Sequence, residues 1–199
     1  YFCHAPIKRD DPEKFRKQFG GDYNGFGWMG PKMRWCTNRL KDAPREKYLR
    51  ELRKKYTLYQ YVGLAADEGY RLKRKNNQRT ECVHPLAEWG MTESDCLQYC
   101  RDCGFDWNGL YQHFRRVSCW LCPLQPLDEL RALWDHFPEL WEKLKKYESM
   151  TWRKYRSDYS VDELEIRFAF EKECLAQGLP IRNKAFFTAL KERLVNANE

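Results

Sequence analysis

The last third of the sequence is a series of helix start signals, and these limit the fold more than any other feature. This part of the chain contains four amphipathic runs, and three of them begin with a residue that is typical of a helix N-terminus. The runs are 127–136 after Pro126, 139–147 after Pro138, a segment that starts at Ser160 with Glu163 and ends near Gly178, and 183–196. We therefore predict a helical appendage over residues 126–199. Its aromatic side chains are expected to form core rather than a site.

The first 125 residues show a different pattern, in which helix, strand and loop signals alternate. Residues 19–31 hold five glycines and predict a loop. Residues 56–66 are rich in aromatic and β-branched side chains, which predicts a buried strand. Thr92 and Asp95 have the spacing of a capping box ahead of a further helix. We predict an α/β domain over residues 1–125.

Composition and charge exclude several classes of protein. The 199 residues include 8 Trp, 12 Tyr and 11 Phe, which supply enough apolar area for a folded core and argue against disorder. No apolar run approaches the roughly 18 residues that cross a bilayer, and no signal peptide opens the chain, so we expect no membrane partner and a cytoplasmic location. Residues 1–80 hold 20 Lys and Arg against 9 Asp and Glu, which makes this half the candidate anion-binding part. A solvated basic face is the alternative.

Nine cysteines without a secretion signal predict free thiols that bind metal or do chemistry. Cys100-x-x-Cys103 and Cys119-x-x-Cys122 are separated by 15 residues, a spacing that is typical of zinc sites. Cys96 shares one helix face with the first pair, so burial of that pair is as reasonable as metal ligation.

The second pair lies in a turn, Ser-Cys-Trp-Leu-Cys-Pro, where both sulfurs can face one ion, so ligation is favoured for Cys119 and Cys122. Cys36 is a candidate partner and also the candidate catalytic nucleophile. Flanking Lys and Arg side chains favour its thiolate form, which is needed either to bind iron or to attack sulfur.

Two sets of charged residues are candidates for nucleotide or anion binding. The basic stretch around Cys36 holds Lys32, Arg34, Arg39 and Lys41, whose charges suit a phosphate or sulfate group. The alternative is the exposed start of a helix. Asp67, Glu68 and Arg71 follow the predicted strand, at the end where ligands sit in open α/β sheets. For these three, a turn with a local ion pair is the alternative.

Four ordered blocks between residues 28 and 126 resemble the phosphoadenosine phosphosulfate (PAPS) reductase family. The resemblance is to a branch common among phage and prophage proteins and related to the sulfur-modification enzymes of DNA. The blocks are Arg34-Trp35-Cys36-Thr37 with Arg39-Leu40-Lys41, Val62-Gly63-Leu64-Ala65-Ala66-Asp67-Glu68 with Arg71, His84-Pro85-Leu86-Ala87-Glu88-Trp89 with Thr92, Asp95 and Tyr99, and Leu110-Tyr111 with Ser118-Cys119-Trp120-Leu121-Cys122-Pro123.

This resemblance implies a fold, a cofactor and an activity. The fold would be the adenine-nucleotide alpha-hydrolase-like sheet of PP-loop or HUP type. Cys36, Cys119 and Cys122 would ligate an iron–sulfur cluster, with zinc as the alternative, and Cys103, Cys100 and Cys82 are candidates for the fourth ligand. ATP or PAPS would bind near Asp67, Glu68 and Arg71. The activity would be sulfur or adenylyl transfer.

The sequence departs from the family in two ways. The Ser-Gly-Gly-x-Asp-Ser phosphate loop is absent, and a family member would carry it upstream of Tyr1. We therefore expect this chain to be the C-terminal portion of a longer protein and to be inactive alone. The family's Glu-Cys-Gly-x-His tail is also absent, so reductive release of sulfite is not expected.

Two other classes of function fit the same residues. Cys100, Cys103, Cys119 and Cys122 could form a structural zinc site in a nucleic-acid-binding module, with Trp28, Trp35 and Trp107 stacking on bases. The remaining alternative is a non-catalytic interaction module. An iron–sulfur chromophore would favour the transferase hypothesis, whereas colourless zinc would favour the nucleic-acid module.

Overall fold

The computed structural model describes residues 1–6, 10–79 and 81–197, and 53% of these residues are helical. Within them the sheet consists of two short parallel strands, Gln60–Tyr61 and Cys82–Val83. Gln60 pairs with Cys82 and Tyr61 pairs with Val83. The predicted α/β sheet of the adenine-nucleotide alpha-hydrolase type is therefore wrong.

The error lies in the interpretation of residues 56–66. Only Gln60 and Tyr61 of this run form a strand, and Tyr56, Tyr59 and Tyr61 are 63%, 67% and 75% exposed. Leu64 and Ala65 are buried, but they follow the strand. Strand propensity reflects how well side chains pack on a covered, pleated surface. With a single short partner strand, this run has no such surface to join.

The chain divides into two compact units. Unit 1 comprises residues 1–36 and 113–199, and unit 2 comprises residues 37–112. The predicted division at residue 125 stays a prediction.

The main core of unit 1 lies between three consecutive helices, Leu127–His136, Pro138–Ser149 and Val161–Ala176. Its largest fully buried side chains are Trp28, Trp141, Tyr155 and Phe168. A smaller core of Phe170, Cys174, Phe186 and Leu190 joins Val161–Ala176 to the last helix, Lys184–Asn196. The other helices with residues in unit 1 are Pro12–Phe19 and Trp35–Thr37.

The predicted helices of residues 126–199 are confirmed, and their start signals work as expected. Ser160 Oγ accepts a hydrogen bond from the Glu163 backbone at 3.1 Å, and Glu163 accepts one from the Ser160 backbone at 2.7 Å. This capping box satisfies donors that a helix leaves free at its N-terminus. Asn183 caps the last helix by accepting from the Phe186 backbone at 2.9 Å.

The longest helices of unit 2 have 11 and 10 residues, and one of them opens with a widened turn. In the π-helical segment Asn38–Asp42, the Ala43 backbone N–H donates to the carbonyl of Asn38, five residues back. Pro44 has no N–H to donate, which favours this local departure from the α-helical pattern. The remaining helices of unit 2 are Ala43–Arg53, Gly69–Leu72, Pro85–Glu88, Glu93–Asp102 and the 3₁₀ segment Trp107–Gln112.

The capping box predicted in unit 2 is also confirmed. Thr92 Oγ1 accepts from the Asp95 backbone at 3.2 Å, and the Asp95 carboxylate accepts from the Thr92 backbone at 2.9 Å. The hydrogen bonds from Thr92 lower the pKa of Asp95, because they favour its charged form.

The predicted loop of residues 19–31 contains no helix or strand beyond Phe19, apart from a single antiparallel bridge between Gly30 and Met33. One of its glycines is required by close packing. Gly25 has a φ of 75°, and a Cβ added there would lie 2.1 Å from the carbonyl oxygen of Phe2. The Gly25 N–H donates to the Ala5 carbonyl at 2.8 Å, and the Gly27 N–H donates to the Phe2 carbonyl at 2.9 Å. The glycine therefore lets the first residues of the chain lie directly against this loop.

Among the described residues, no helix has the length and apolar content needed to cross a membrane.

Candidate thiol site

Cys36 is positioned by its neighbour Trp35, which anchors a short helix to the core of unit 1. Trp35 is buried, its Nε1 donates to the Gly27 carbonyl at 3.0 Å, and its ring stacks on Phe26 at 5.7 Å between centroids. The half-buried Cys36 packs against the same core. A buried and hydrogen-bonded tryptophan fixes the backbone next to the thiol, so Cys36 is held on a rigid support.

Cys119 and Cys122 lie in a turn that side chains hold from two directions. The Cys122 N–H donates to the Cys119 carbonyl at 3.1 Å, and Gln125 Nε2 donates to the same carbonyl at 2.9 Å. Arg156 Nη1 donates to the carbonyls of Pro123 and Gln125, each at 2.9 Å. Cys119 is exposed and Cys122 is half-buried. The turn is thus fixed by the protein itself and needs no bound ion to hold its backbone.

The thiol of Cys122 is in electrostatic contact with the two other predicted ligands. Burial raises its pKa above the ordinary value, and the nearby Cys119 and Cys36 thiols raise it further. A hydrogen bond from the Leu124 backbone and the charge of Arg34 act in the opposite direction. Cys36 also packs against the same core as Trp120 and Leu121, the two residues between Cys119 and Cys122. Unit 1 therefore brings the three cysteines into one neighbourhood, although more than eighty residues separate Cys36 from the other two.

The three cysteines have the right donor atoms for a metal group, but their side chains are not arranged around a common point. Thiolates are the usual donors to iron–sulfur clusters and to structural zinc, so the three side chains suit either group. As the side chains stand, however, no three His, Cys, Asp or Glu residues among those described are arranged to hold a metal ion. A metal group would thus require the thiols to turn towards a common point.

The other cysteine candidates lie in unit 2. Cys96, Cys100 and Cys103 belong to the helix Glu93–Asp102 or its C-cap, the first two half-buried and Cys103 exposed. Burial raises the pKa of the Cys96 thiol. Cys82 donates through its sulfur to the Asn76 carbonyl at 3.6 Å. Cys103 as a fourth ligand stays a prediction.

The seven predicted anion-binding residues differ in how much they are already engaged. Lys32 and Arg34 in unit 1, like Arg39 and Lys41 in unit 2, are exposed. Asp67 accepts from the Glu93 backbone at 3.1 Å and so joins the N-terminus of a helix. Glu68 pairs with Arg71 and accepts from the Ala65 backbone at 3.3 Å. The basic residues are open to solvent, whereas Asp67, Glu68 and Arg71 form local contacts within unit 2.

The tryptophans proposed to stack on bases are placed differently from that expectation. Trp28 and Trp35 are 1% and 9% exposed, so neither presents a ring to solvent. Trp107 is half-buried and packs edge-on against Tyr111 at 4.9 Å. The structure therefore rules out base stacking by the first two.

Sequence reasoning missed two residues, Gln125 and Arg156, that support the turn of Cys119 and Cys122 (the thiol turn). Gln125 lies between Pro123 and Pro126, two residues that cannot donate backbone hydrogen bonds. Because neither proline has a backbone N–H, the Gln125 side chain could have been predicted to supply a hydrogen-bond donor for this turn. Arg156 comes from a loop 31 residues further on, and no local pattern marks it.

Comparison with known proteins leaves the family open. No protein-family model matches the chain, and no solved structure matches it significantly. A protein of Methanocaldococcus jannaschii, described as "Uncharacterized protein MJ0066", is 26% identical over 146 residues. The match covers 69% of this chain but 29% of that protein, so the chain corresponds to under a third of the length of this relative.

Proposed function

We propose that unit 1 carries a thiol centre of Cys36, Cys119 and Cys122 that binds a soft metal group, an iron–sulfur cluster or alternatively zinc. The observation that carries this proposal is that Cys36 packs against the same core as Trp120 and Leu121, the two residues between Cys119 and Cys122. Three thiols from two distant segments are the donor set that such groups use. The group would provide either a redox or sulfur-carrying centre, if it is a cluster, or a structural tie, if it is zinc.

The surrounding residues have separate roles in this centre. Trp35 holds the backbone of Cys36, and Gln125 and Arg156 hold the turn of Cys119 and Cys122. Arg34 favours the thiolate of Cys122, which is the form that binds metal or attacks sulfur. Binding therefore competes with protonation of a half-buried thiol, and we expect metal affinity to rise with pH.

At the level of the whole protein, we propose the chemistry of the PAPS reductase family that the four sequence blocks resemble. This is ATP- or sulfonucleotide-dependent transfer of sulfur or of an adenylyl group. Lys32, Arg34, Arg39 and Lys41 are proposed to contact the anionic end of the nucleotide, because they are exposed. Asp67, Glu68 and Arg71 are secondary candidates, since their polar groups already have partners.

The test is anaerobic purification followed by visible absorption and by iron, sulfide and zinc analysis. We expect a brown protein that loses its metal in Cys36→Ser, Cys119→Ser and Cys122→Ser and keeps it in the control Cys96→Ser. Cys103→Ser tests the fourth ligand. Metal-free wild-type protein that also fails to take up iron, sulfide or zinc on reconstitution would contradict the proposal. Equal loss in Cys96→Ser would contradict it as well.

A second candidate function is single-stranded nucleic-acid binding by unit 2. It is favoured by exposed aromatic side chains interleaved with basic ones, the combination that stacks bases and follows a phosphate backbone. Tyr48, Tyr70 and Trp89 are 65%, 68% and 70% exposed, and Arg74 lies over the Tyr70 ring at 5.6 Å. Fluorescence anisotropy with a labelled single-stranded oligonucleotide tests it. Binding that weakens with salt and in Trp89→Ala would support this function, and no binding at low salt would exclude it.

A further inference from the structure

The two Cys-x-x-Cys pairs of the chain have the same spacing but different backbones. Cys119 and Cys122 lie in the thiol turn of unit 1, whereas Cys100 and Cys103 lie at the end of the helix Glu93–Asp102 in unit 2. In each pair one cysteine is exposed, Cys119 or Cys103, and the other is half-buried. The two pairs are therefore matched in spacing and exposure and differ in local structure.

The thiol turn brings its two cysteines within the distance that a disulfide spans. The Cys122 N–H donates to the Cys119 carbonyl at 3.1 Å, which closes a β-turn around Trp120 and Leu121. The Cα atoms at the two ends of a β-turn lie less than about 7 Å apart, and disulfides join Cα atoms that are about 4.4–6.8 Å apart. Neither cysteine belongs to a helix or strand, so the turn can adjust without breaking the hydrogen bonds of such an element.

The pair at the helix end, Cys100 and Cys103 (the helical pair), lacks this geometry. The Cys103 N–H donates to the Tyr99 carbonyl at 3.1 Å, and the Cys100 carbonyl accepts from the Phe105 backbone at 3.0 Å. In a helix, Cβ atoms three residues apart are separated by about 5–6 Å. A disulfide requires about 3.5–4.5 Å between its Cβ atoms. Joining the helical pair would therefore distort the last turn of the helix.

Side chains outside the thiol turn keep its two cysteines close to each other before any bond forms. Gln125 Nε2 donates to the Cys119 carbonyl at 2.9 Å, and Arg156 Nη1 donates to the carbonyls of Pro123 and Gln125. Closing a loop costs chain entropy, and a turn that is already closed has lost most of that entropy in the folded protein. Disulfide formation in the thiol turn is thus favoured by the fold itself.

We propose that Cys119 and Cys122 form a reversible dithiol–disulfide couple that exchanges with low-molecular-weight disulfides. Cys119 is exposed, so it is the cysteine that an incoming disulfide reaches first. Its sulfur bonds to one sulfur of the reagent, whose S–S bond breaks and releases a first thiol. The Cys122 sulfur then bonds to the Cys119 sulfur and releases a second thiol. The two released thiols carry the protons of the two cysteines, so the reagent is reduced and the pair is oxidised.

This couple shares two cysteines with the proposed metal centre but does not require a bound metal group. The thiolate is the form that binds metal, and a disulfide has none, so oxidation of the pair and metal binding exclude each other. Cys36 distinguishes the two functions, because it belongs to the metal centre and not to the couple. Cys36→Ser should therefore lose the metal group and keep the disulfide.

Equilibration of the full chain with mixtures of reduced and oxidised glutathione tests the couple. The buffers contain EDTA and exclude oxygen, and the remaining thiols are alkylated and located by peptide mass spectrometry. Both cysteines of the turn lie in one tryptic peptide, residues 117–131, so their disulfide is detected as the loss of two hydrogens from that peptide. The midpoint is expressed as the squared concentration of reduced glutathione divided by the concentration of oxidised glutathione.

The helical pair is the internal control. We expect the midpoint of the thiol turn to be about tenfold or more higher than that of the helical pair, because distortion makes a disulfide easier to reduce. In urea the two backbones no longer differ, and the midpoints should converge. Equal midpoints in the folded protein, or a thiol turn that stays reduced in oxidised glutathione alone, would overturn the proposal. A difference that persists in urea would contradict the role of the turn.

Two variants test the order of the steps and the identity of the pair. Cys122→Ser should accumulate a mixed disulfide of Cys119 with glutathione, because the second cysteine is missing. Cys36→Ser should form the disulfide of the thiol turn with the midpoint of the wild type. A disulfide that joins Cys36 to either cysteine of the turn in the wild type would overturn the proposal. Loss of the Cys119–Cys122 disulfide in Cys36→Ser would do so as well.

Discussion

Aromatic residues make up a similar fraction of units 1 and 2, but the largest of them are buried in unit 1 and exposed in unit 2. In unit 1, Trp28, Trp141, Tyr155 and Phe168 are at most 2% exposed. In the described part of unit 2, the buried apolar side chains are Leu64 and Ala65, and eight aromatic residues have at least 60% of their surface exposed. They are Tyr48, Tyr56, Tyr59, Tyr61, Tyr70, Trp89, Tyr99 and Phe105.

The difference follows from the elements that each unit can pack together. Unit 1 has helices of 10, 12 and 16 residues, long enough to present whole apolar faces to one another. Unit 2 also has helices of 11 and 10 residues, Ala43–Arg53 and Glu93–Asp102, but no residue of either is buried. Its two strands have two residues each, and a two-stranded sheet covers little surface. Aromatic content therefore does not fix burial. The same side chains form a core only where helices pack their apolar faces together.

Removing the carboxylate of Glu171 should have the largest effect on unit 1. Glu171 is 1% exposed and accepts from Arg131 at 2.7 Å and from Arg167 at 2.8 Å. Glu171→Ala leaves two guanidinium groups without their partner, and we expect a loss of about 3–5 kcal/mol in the free energy of unfolding, measured in urea.

The control is Glu173→Ala on the same helix. Glu173 is half exposed and pairs with Arg193 at 2.8 Å, so its removal should cost at most about 1 kcal/mol. Similar losses in the two variants would show that the interior of unit 1 is less tightly organised than its burial indicates.

A smaller effect is expected at Glu148. This residue lies in the helix Pro138–Ser149 and binds the backbone of the following loop and of the first residue of the helix Val161–Ala176. Its carboxylate accepts from the backbone N–H groups of Tyr155 and Val161, both at 2.6 Å. Glu148→Gln keeps one acceptor and replaces the other with a donor, so one N–H loses its partner. We expect a loss of about 1–3 kcal/mol by urea unfolding at pH 7. A loss as large in the exposed control Glu142→Gln would contradict this assignment.

The capping box of Glu163 should make the stability of unit 1 depend on pH. Burial raises the pKa of Glu163, but its pairing with Lys154 and its hydrogen bonds to Ser160 lower it more, so the net shift is downward. A lowered folded pKa gives stability that is complete above the ordinary pKa of a glutamate and disappears as the pH falls through the folded value. Wild type should exceed Glu163→Gln by about 1 kcal/mol at pH 7. The difference should shrink when both proteins are unfolded in urea near pH 3, and a constant difference would refute the role of the charge.

The sequence predicted local features of this molecule well and its long-range features poorly. Helices of residues 126–199 follow from caps such as Ser160 with Glu163, whose partners are three residues away. The prediction of a buried strand over residues 56–66 was wrong, because such a strand is buried only where further strands lie beside it. At the thiol site, the turn that holds Cys119 and Cys122 could be predicted from the neighbouring residues alone. The contact of Arg156 with this turn depends on a loop that lies more than thirty residues further along the chain, and no spacing rule reveals such a contact.

The smallest expected effect is at Tyr61, and it tests the comparison most directly. Tyr61 lies in a strand of unit 2 yet is 75% exposed, so Tyr61→Ala should change the free energy of unfolding by no more than about 0.5 kcal/mol. The matched truncation Phe168→Ala, in the core of unit 1, should cost about 3–5 kcal/mol. Urea unfolding of both variants measures the ratio. A loss above about 1 kcal/mol in Tyr61→Ala would mean that something covers this ring in solution, since an exposed aromatic loses little on truncation. The exposed aromatics of unit 2 would then be a contact surface, and the contrast between the units would reflect a missing partner rather than the way their helices pack.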